Sequence, residues 1–228
     1  MKAMLLAAGR GERLRPLTDH TPKPLLDVGG RPLIEWQIVR LRAAGIREFV
    51  INLAHLGDQI EARLGDGSRL DVDIQYSREP PGALETGGGI RHALPLLGDE
   101  PFIVANADAW IEFDFSLIPA LDNDLAHLVL VTNPTHHPRG DFALSATRVR
   151  NDGDARVTFA GVALYSPRLF EACSETRFPL APLLREAAAR DLVSGQFHPG
   201  FWIDVGTPER LLETQLRVAS LTNRAGMG

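Results

Sequence analysis

The sequence predicts an α/β protein with a mostly parallel sheet and helices on both faces. Three observations carry this. Short apolar runs alternate with segments of helical period through the first half of the chain. The first run ends abruptly at two glycines, Gly9 and Gly11. After Pro134 the alternation stops, and strand-like runs follow with no long helix between them. That change predicts a small β-rich insertion, hairpin-like, forming a lobe.

Ala3 to Ala8 is the first buried strand. Pro32 to Ala44 has Pro near its start, apolar Leu33, Ile34, Ile38 and Leu41, and Gly45 as its stop, so it is a helix. Glu48 to Leu53 is the second strand, and Gly57 to Leu64 a short helix closed by Gly65. Asp73 to Tyr76 alternates and is the third strand. Gly87 to Leu97 is helical with Thr86 as N-cap. Phe102 to Asn106 and Leu125 to Thr132 are buried strands. In the insertion, Asp141 to Ala146 and Val157 to Tyr165 are strands, with a turn over Asn151 to Asp154. A helix over Leu180 to Arg190 and strands over Val193 to His198 and Trp202 to Val205 follow. The last helix runs from Thr207 to Leu221, with Thr207 as N-cap and Pro208 at its first position, and Asn223 to Gly228 is a frayed tail.

Composition narrows the function. At 228 residues the chain can bury a full core. A net charge of −5 argues against a general nucleic-acid binder. No apolar run is long enough to span a membrane, and the chain enters a strand without a charged leader, which predicts a cytoplasmic protein. The single cysteine, Cys173, fits a reducing compartment and is expected to be a buried apolar residue. Without Cys/His clusters a structural zinc site is not expected.

The chemistry is concentrated in Leu6-Ala7-Ala8-Gly9-Arg10-Gly11-Glu12-Arg13-Leu14-Arg15-Pro16 and in Lys23-Pro24. A glycine turn after a strand exposes N–H groups that attract phosphate, and the arginines add fixed positive charge. This is not a Walker A loop, since no Gly-Lys-Ser/Thr follows, and Leu14 replaces the third glycine of a dinucleotide fingerprint. Lys23 sits between Pro22 and Pro24, and only Lys2 accompanies it among 24 basic residues, the rest being arginine. A pinned lysine in an arginine-rich chain suggests a site needing a compact charge. Asp108 and Asp204 each end an apolar run, where a carboxylate either caps a turn or meets a cation.

The pattern from Leu6 to Pro16 with Lys23-Pro24 resembles the signature of the sugar-1-phosphate nucleotidylyltransferases, and the whole chain to about Ser220 is most similar to the bacterial N-acetylmuramate-1-phosphate uridylyltransferases of cell-wall recycling. The resemblance implies the Rossmann-like nucleotide-diphospho-sugar transferase fold as one domain. Residues 1–133 would be mainly nucleotide-binding, 134–206 mainly sugar-binding, and 207–228 a terminal helix and tail. It implies that UTP and N-acetylmuramate-1-phosphate give UDP-N-acetylmuramate and pyrophosphate. Mannose-1-phosphate guanylyltransferase, glucose- or N-acetylglucosamine-1-phosphate uridylyltransferase, and an inactive sugar-nucleotide-binding module remain as alternatives. A monomer or weak homo-oligomer is expected.

By the resemblance Lys23, Arg13 and Asp108 are catalytic, and Asp108 and Asp204 bind Mg²⁺, although Ala107 stands where the family usually has Gly. The nucleotide falls to Leu6, Ala7, Ala8, Gly9, Gly11, Arg13, Lys23, Glu79, Leu84, Glu85 and Gly87. The glycines of Leu84-Glu85-Thr86-Gly87-Gly88-Gly89 would let a flat base lie against the backbone. The sugar falls to Asn106, Arg139, Gly140, Asp141, Phe159 and Gly161, with Arg139 placed to hold a lactyl carboxylate. His136-His137 is expected to be a solvated loop, and Trp110 and Trp202 either stack on the sugar or fill the core.

Overall fold

The computed structural model describes residues 1–82 and 84–225. The chain opens with β1 (Lys2–Leu6), whose side chains alternate between the two faces of the sheet. A long connection of single 3₁₀ turns leads to a small ribbon, β2 (Asp27–Val28) and β3 (Arg31–Pro32), and then to α1 (Leu33–Ala43). The fixed φ of Pro32 aims the chain into that helix. Next come β4 (Glu48–Leu53), α2 (Gly57–Leu64), β5 (Asp73–Arg78), α3 (Glu85–Leu97) and β6 (Phe102–Asn106). α3 begins before Thr86, with Leu84 at its N-cap position and no side-chain cap, so the predicted Thr86 cap is not made.

After a tight turn, β7 (Ala109–Ile111) precedes β8 (Ala126–Val131). The two strands expected after Pro134 are β9 (Phe142–Ser145) and the long β11 (Arg156–Tyr165), and between them lies an unpredicted strand, β10 (Arg148–Arg150), which makes the tight hairpin with β9. The chain closes with α4 (Leu180–Ala189), β12 (Val193–His198), β13 (Trp202–Asp204) and α5 (Pro208–Ala225). The Thr207 hydroxyl accepts from the Arg210 N–H at 3.4 Å, as an N-cap should. α5 runs through Ala225, past the predicted end, and the rest of the predicted tail lies outside the described residues.

Nine strands form one sheet in the order β5-β4-β1-β6-β11-β8-β12-β10-β9. β5, β4, β1 and β6 are parallel neighbours, as are β8 and β12. β11 runs antiparallel between β6 and β8. The β9–β10 hairpin extends this sheet and does not stand apart as a lobe: Arg148 pairs with Ser194, and Phe142 with Val157.

Alternation along the strands builds two cores. Ala3, Leu5, Phe49 and Ile51 face Ile34, Ile38 and Ile60 of α1 and α2. Met4, Val50 and Val104 face Ile90 of α3 and Leu184 of α4. Both faces are therefore covered, which is why the central strands read as continuous apolar runs. A third cluster joins α5, through Leu211 and Val218, to Leu14, Trp110 and Val205. It clamps the first loop against β7 and β13. Cys173 is free and only partly buried, and burial still pushes its thiol up. Among the described residues no helix is long and apolar enough to cross a membrane.

Candidate active site

The loop after β1 folds back on itself. Gly11 has a φ of +65°, and a Cβ there would lie 2.9 Å from Thr18 and 3.2 Å from the Lys23 Cβ. Only glycine suits both the left-handed backbone and that contact. The Thr18 hydroxyl donates to the Gly11 carbonyl at 2.8 Å and fixes the fold. Gly9, in contrast, has open space beside it. The Ala7 N–H is already committed, donating to Asn52 Oδ1 at 2.8 Å. Lys23 is 7 % exposed and its Nζ donates to Asp108 Oδ2. Arg15 pairs with Asp19 at 3.2 Å, and Arg10 is exposed.

The two aspartates are brought together by a pairing that the sequence did not announce. β7 and β13 form an antiparallel ribbon with Asp204 opposite Ala109. The Val205 N–H donates to the Asp108 carbonyl at 3.1 Å. Gln37 of α1 braces the turn from below, donating to the Ala109 carbonyl at 2.6 Å. Asp204 Oδ1 accepts from the Arg210 guanidinium and lies 3.2 Å from His136 Nε2, while Arg13 Nη2 is 3.9 Å from Oδ2. Gly206 makes room for this cluster, since a Cβ there would sit 2.7 Å from Arg210 and 2.8 Å from Arg13. The His136-His137 loop is solvated as expected, with His136 exposed, and its rings also meet carboxylates: His137 Nε2 lies 3.0 Å from Asp141 Oδ1.

This donor set suits a hard divalent cation. Both groups are partly exposed carboxylates that supply oxygen donors, and Lys23 and Arg210, paired with them here, would compete with the ion for those oxygens. Among the described residues no three His, Cys, Asp or Glu side chains gather into a cage. Mg²⁺ accepts such a site, because it takes few protein ligands and keeps water or phosphate oxygens for the rest.

A cavity of about 270 Å³ lies against the first loop, lined by Leu6, Ala8, Gly9, Asn52, Glu79, Glu85, Thr86, Asn106 and Asp108. Its wall is a hydrogen-bonded chain. Asn52 Nδ2 donates to Glu79 Oε1 at 2.7 Å, and the Leu84 N–H donates to Glu79 Oε2 at 3.3 Å. Gly89 permits this, because a Cβ there would come within 2.6 Å of Glu79 Oε1. Gly87 and Gly88 serve a different end from the one expected. A Cβ on Gly87 would overlap the Phe178 ring, and the Gly88 N–H donates to the Phe178 carbonyl at 3.1 Å. These two glycines let the 176–178 segment pack on α3, and neither they nor Leu84 lines this cavity. Glu85 does, with a φ of +60°, and it pairs with Arg177 at 3.3 Å.

A second cavity of about 310 Å³ opens between the sheet and α4. Its walls are Leu6, Thr86, Val104, Asn106, Asp141, Phe142, Phe159, Gly161, Tyr165, Pro179, Leu180, Ala181, Leu184 and Arg185. Leu6, Thr86 and Asn106 belong to both cavities. Gly161 has a φ of +74° at a bulge in β11, and a Cβ there would overlap the Asn106 amide. The Phe159 N–H donates to Asp141 Oδ2 at 2.9 Å. Gly140 packs against Asn133 and Val157 and does not line the cavity, and exposed Arg139 does not reach it either. Burial pushes the Tyr165 hydroxyl far above its usual range. Trp110 is 2 % exposed and stacks edge-on with Trp36 at 5.4 Å, so it is core. Trp202 also packs on the core and donates to the Ala160 carbonyl at 2.9 Å. Asn52, Thr86, Tyr165 and Arg185 are site-lining residues that the sequence did not single out. Thr86 had been assigned to a cap, and the other three depend on which elements meet.

Residues 2–142 match the family described as nucleotidyl transferase. An N-acetylmuramate alpha-1-phosphate uridylyltransferase of Neisseria meningitidis serogroup B is 54% identical over 94% of this chain and 97% of its own. A protein of the same name from Caulobacter vibrioides is 37% identical over 95% of this chain and 96% of its own. Among solved structures, a Bacillus anthracis protein assigned as a glucose-1-phosphate thymidylyltransferase, in complex with a sucrose, superposes with a TM-score of 0.83 at 21% identity, covering 95% of this chain and 94% of that one. At that identity the likeness speaks for the fold alone.

Proposed function

The chain belongs to the nucleotidyl transferase family, and from that premise we propose that it joins UTP to N-acetylmuramate-1-phosphate, giving UDP-N-acetylmuramate and pyrophosphate, in cytoplasmic recycling of peptidoglycan. It would act as a monomer or weak homo-oligomer. The observation that carries the reading is the pair of adjoining cavities. One lies beside the first loop and is lined largely by polar and acidic residues; the other is lined mostly by apolar ones; they share Leu6, Thr86 and Asn106. Two substrates seated in them meet at that common wall, beside Asp108.

The sugar-phosphate oxygen attacks the α-phosphorus of UTP. A new P–O bond forms as the bond to the bridging oxygen breaks, and pyrophosphate leaves with that electron pair. The nucleophile is already an anion at neutral pH, so no general base is required. Positioning and charge neutralisation remain as the protein's tasks. Lys23, buried and held by Asp108, aims one ammonium at the reacting phosphate. Arg13, with backbone groups of Gly9 and Gly11, holds the departing pyrophosphate. Asp108 and Asp204 would hold one Mg²⁺, which when bound supplies further positive charge to the phosphate oxygens. Glu79 and Glu85 face the nucleotide, and Asp141 and Phe159 the sugar.

The test is a screen of nucleoside triphosphates against sugar-1-phosphates, read as pyrophosphate release with Mg²⁺ present. UTP with N-acetylmuramate-1-phosphate should give the highest kcat/KM. Faster release from GTP and mannose-1-phosphate would replace this assignment. Tight sugar-nucleotide binding with no release from any pair would mark an inactive binding module.

A further inference from the structure

One cation, the exposed Arg185, lines the sugar-side cavity. Arg185 lies on α4 beside Leu184, which is 1 % exposed and anchors the helix to the sheet. Asn151 Nδ2 donates to the Arg185 backbone carbonyl at 2.8 Å and holds this turn of the helix in place. The guanidinium itself has no hydrogen bond or ion pair among the described residues. Arg156 is engaged with the Asp141 carbonyl, Arg177 with Glu85 and Arg210 with Asp204, whereas Arg139, also without a partner among the described residues, lies outside the cavity. Asp141, the carboxylate lining the same cavity, is held by the Phe159 N–H and by His137.

The direction of the cavity decides what that charge meets. A sugar phosphate must place its phosphate at the wall shared with the nucleotide cavity, next to Asn106 and Asp108. Its far side then points towards α4. Most walls there are apolar, and a neutral sugar hydroxyl gains only a single hydrogen bond from a guanidinium at the rim. A sugar carrying its own carboxylate gains more, because Arg grips a carboxylate through two parallel N–H donors.

We propose that Arg185 is the specificity-determining residue that reads a carboxylate substituent on the sugar, a role the sequence had offered to Arg139. The proposal rests on the acid-sugar reading above. The experiment compares N-acetylmuramate-1-phosphate, its lactyl amide and N-acetylglucosamine-1-phosphate in wild type, Arg185→Ala, Arg185→Lys and Arg139→Ala, reading kcat/KM. Wild type should prefer the acid to the amide. Arg185→Ala should lower the acid-to-amide ratio about tenfold or more, and Arg185→Lys should recover only part of it. A purely structural role would slow acid and amide alike and leave their ratio unchanged. An acid preference that survives Arg185→Ala overturns the role of Arg185 and leaves the substrate standing. A ratio that collapses in Arg139→Ala and not in Arg185→Ala returns the role to the loop arginine. A wild type that favours N-acetylglucosamine-1-phosphate overturns the acid-sugar reading itself.

Discussion

The two cavities share a wall and differ in how they are built. The cavity beside the first loop, which we propose takes the nucleotide, has charged lining residues and is braced by hydrogen bonds: Ala7 to Asn52, Asn52 to Glu79, Leu84 to Glu79, Lys23 to Asp108. The cavity under α4, which we propose takes the sugar, is mostly apolar, walled by Val104, Phe142, Leu180 and Leu184, with polar groups at Asn106, Asp141 and Arg185. The contrast follows from the two tasks. Charge that builds on phosphate is stabilised by groups held in place beforehand. A sugar is instead selected by shape and by a few polar contacts. Substitutions on the first side should therefore strike turnover, and substitutions on the second should strike the choice of substrate.

The largest effects should come from the charged side. Asp108→Asn and Asp204→Asn should each lower kcat about a thousandfold and weaken its Mg²⁺ dependence. Lys23→Ala should lower kcat about a hundredfold or more, with a smaller change in KM for UTP. Steady-state kinetics over a Mg²⁺ titration separates the two groups. If Lys23→Ala changed KM alone, the lysine would serve uniform binding, and the contrast between the sides would fail.

A smaller effect should come from the wall between them. Gly161→Ala combines a left-handed backbone with a Cβ that overlaps Asn106, which lines both cavities. The variant should lose about 1–3 kcal/mol of stability. It should also raise KM for both substrates together. Denaturant unfolding and two KM values check this. A rise confined to one substrate would show that Asn106 belongs to one side only.

The same contrast explains what the sequence could reveal. β4, α2, β6 and β12 keep the predicted bounds, because each is a strongly patterned run with clear breaks at its ends. Lys23, Gly9 and Gly11 were legible because one short segment carries them. The meeting of Asp108 with Asp204 required the β7–β13 ribbon, and β7 is three residues long, too short for any period. The glycines from Gly87 to Gly89 announced a close approach but not its partner, which is Phe178 and Glu79. Asn52, Tyr165 and Arg185 reach the site only through the order of the strands and the docking of α4. His136 and His137 gave no sign in sequence of the aspartates they meet.

The smallest effect tests whether the scaffold can be weakened without touching either cavity. Glu35 of α1 is 2 % exposed, with its Oε1 2.8 Å from Arg63 Nε and 2.5 Å from Arg69 Nη2. Burial raises the pKa of this carboxyl, but the hydrogen bonds and charges of Arg69 and Arg63 outweigh it and hold it below the usual carboxylate range. The unfolded chain releases this proton at an ordinary pKa of about 4.3. The pair's contribution is therefore complete above that pH and is lost as pH falls through the lower folded value. Both arginines are about half exposed (48% and 52%), so solvent weakens the interaction, and Glu35→Gln should cost about 1–2 kcal/mol at pH 7. The gap between wild type and variant should shrink as pH drops below about 4. Urea unfolding from pH 7 to pH 3 measures it, with KM for both substrates as the control. A gap that stays constant or widens towards low pH would mean that packing, and not the ion pairs, makes Glu35 matter. A shift in either KM would show that the brace under α1 reaches the nucleotide or the sugar, and the two cavities would no longer be the only places where binding is decided.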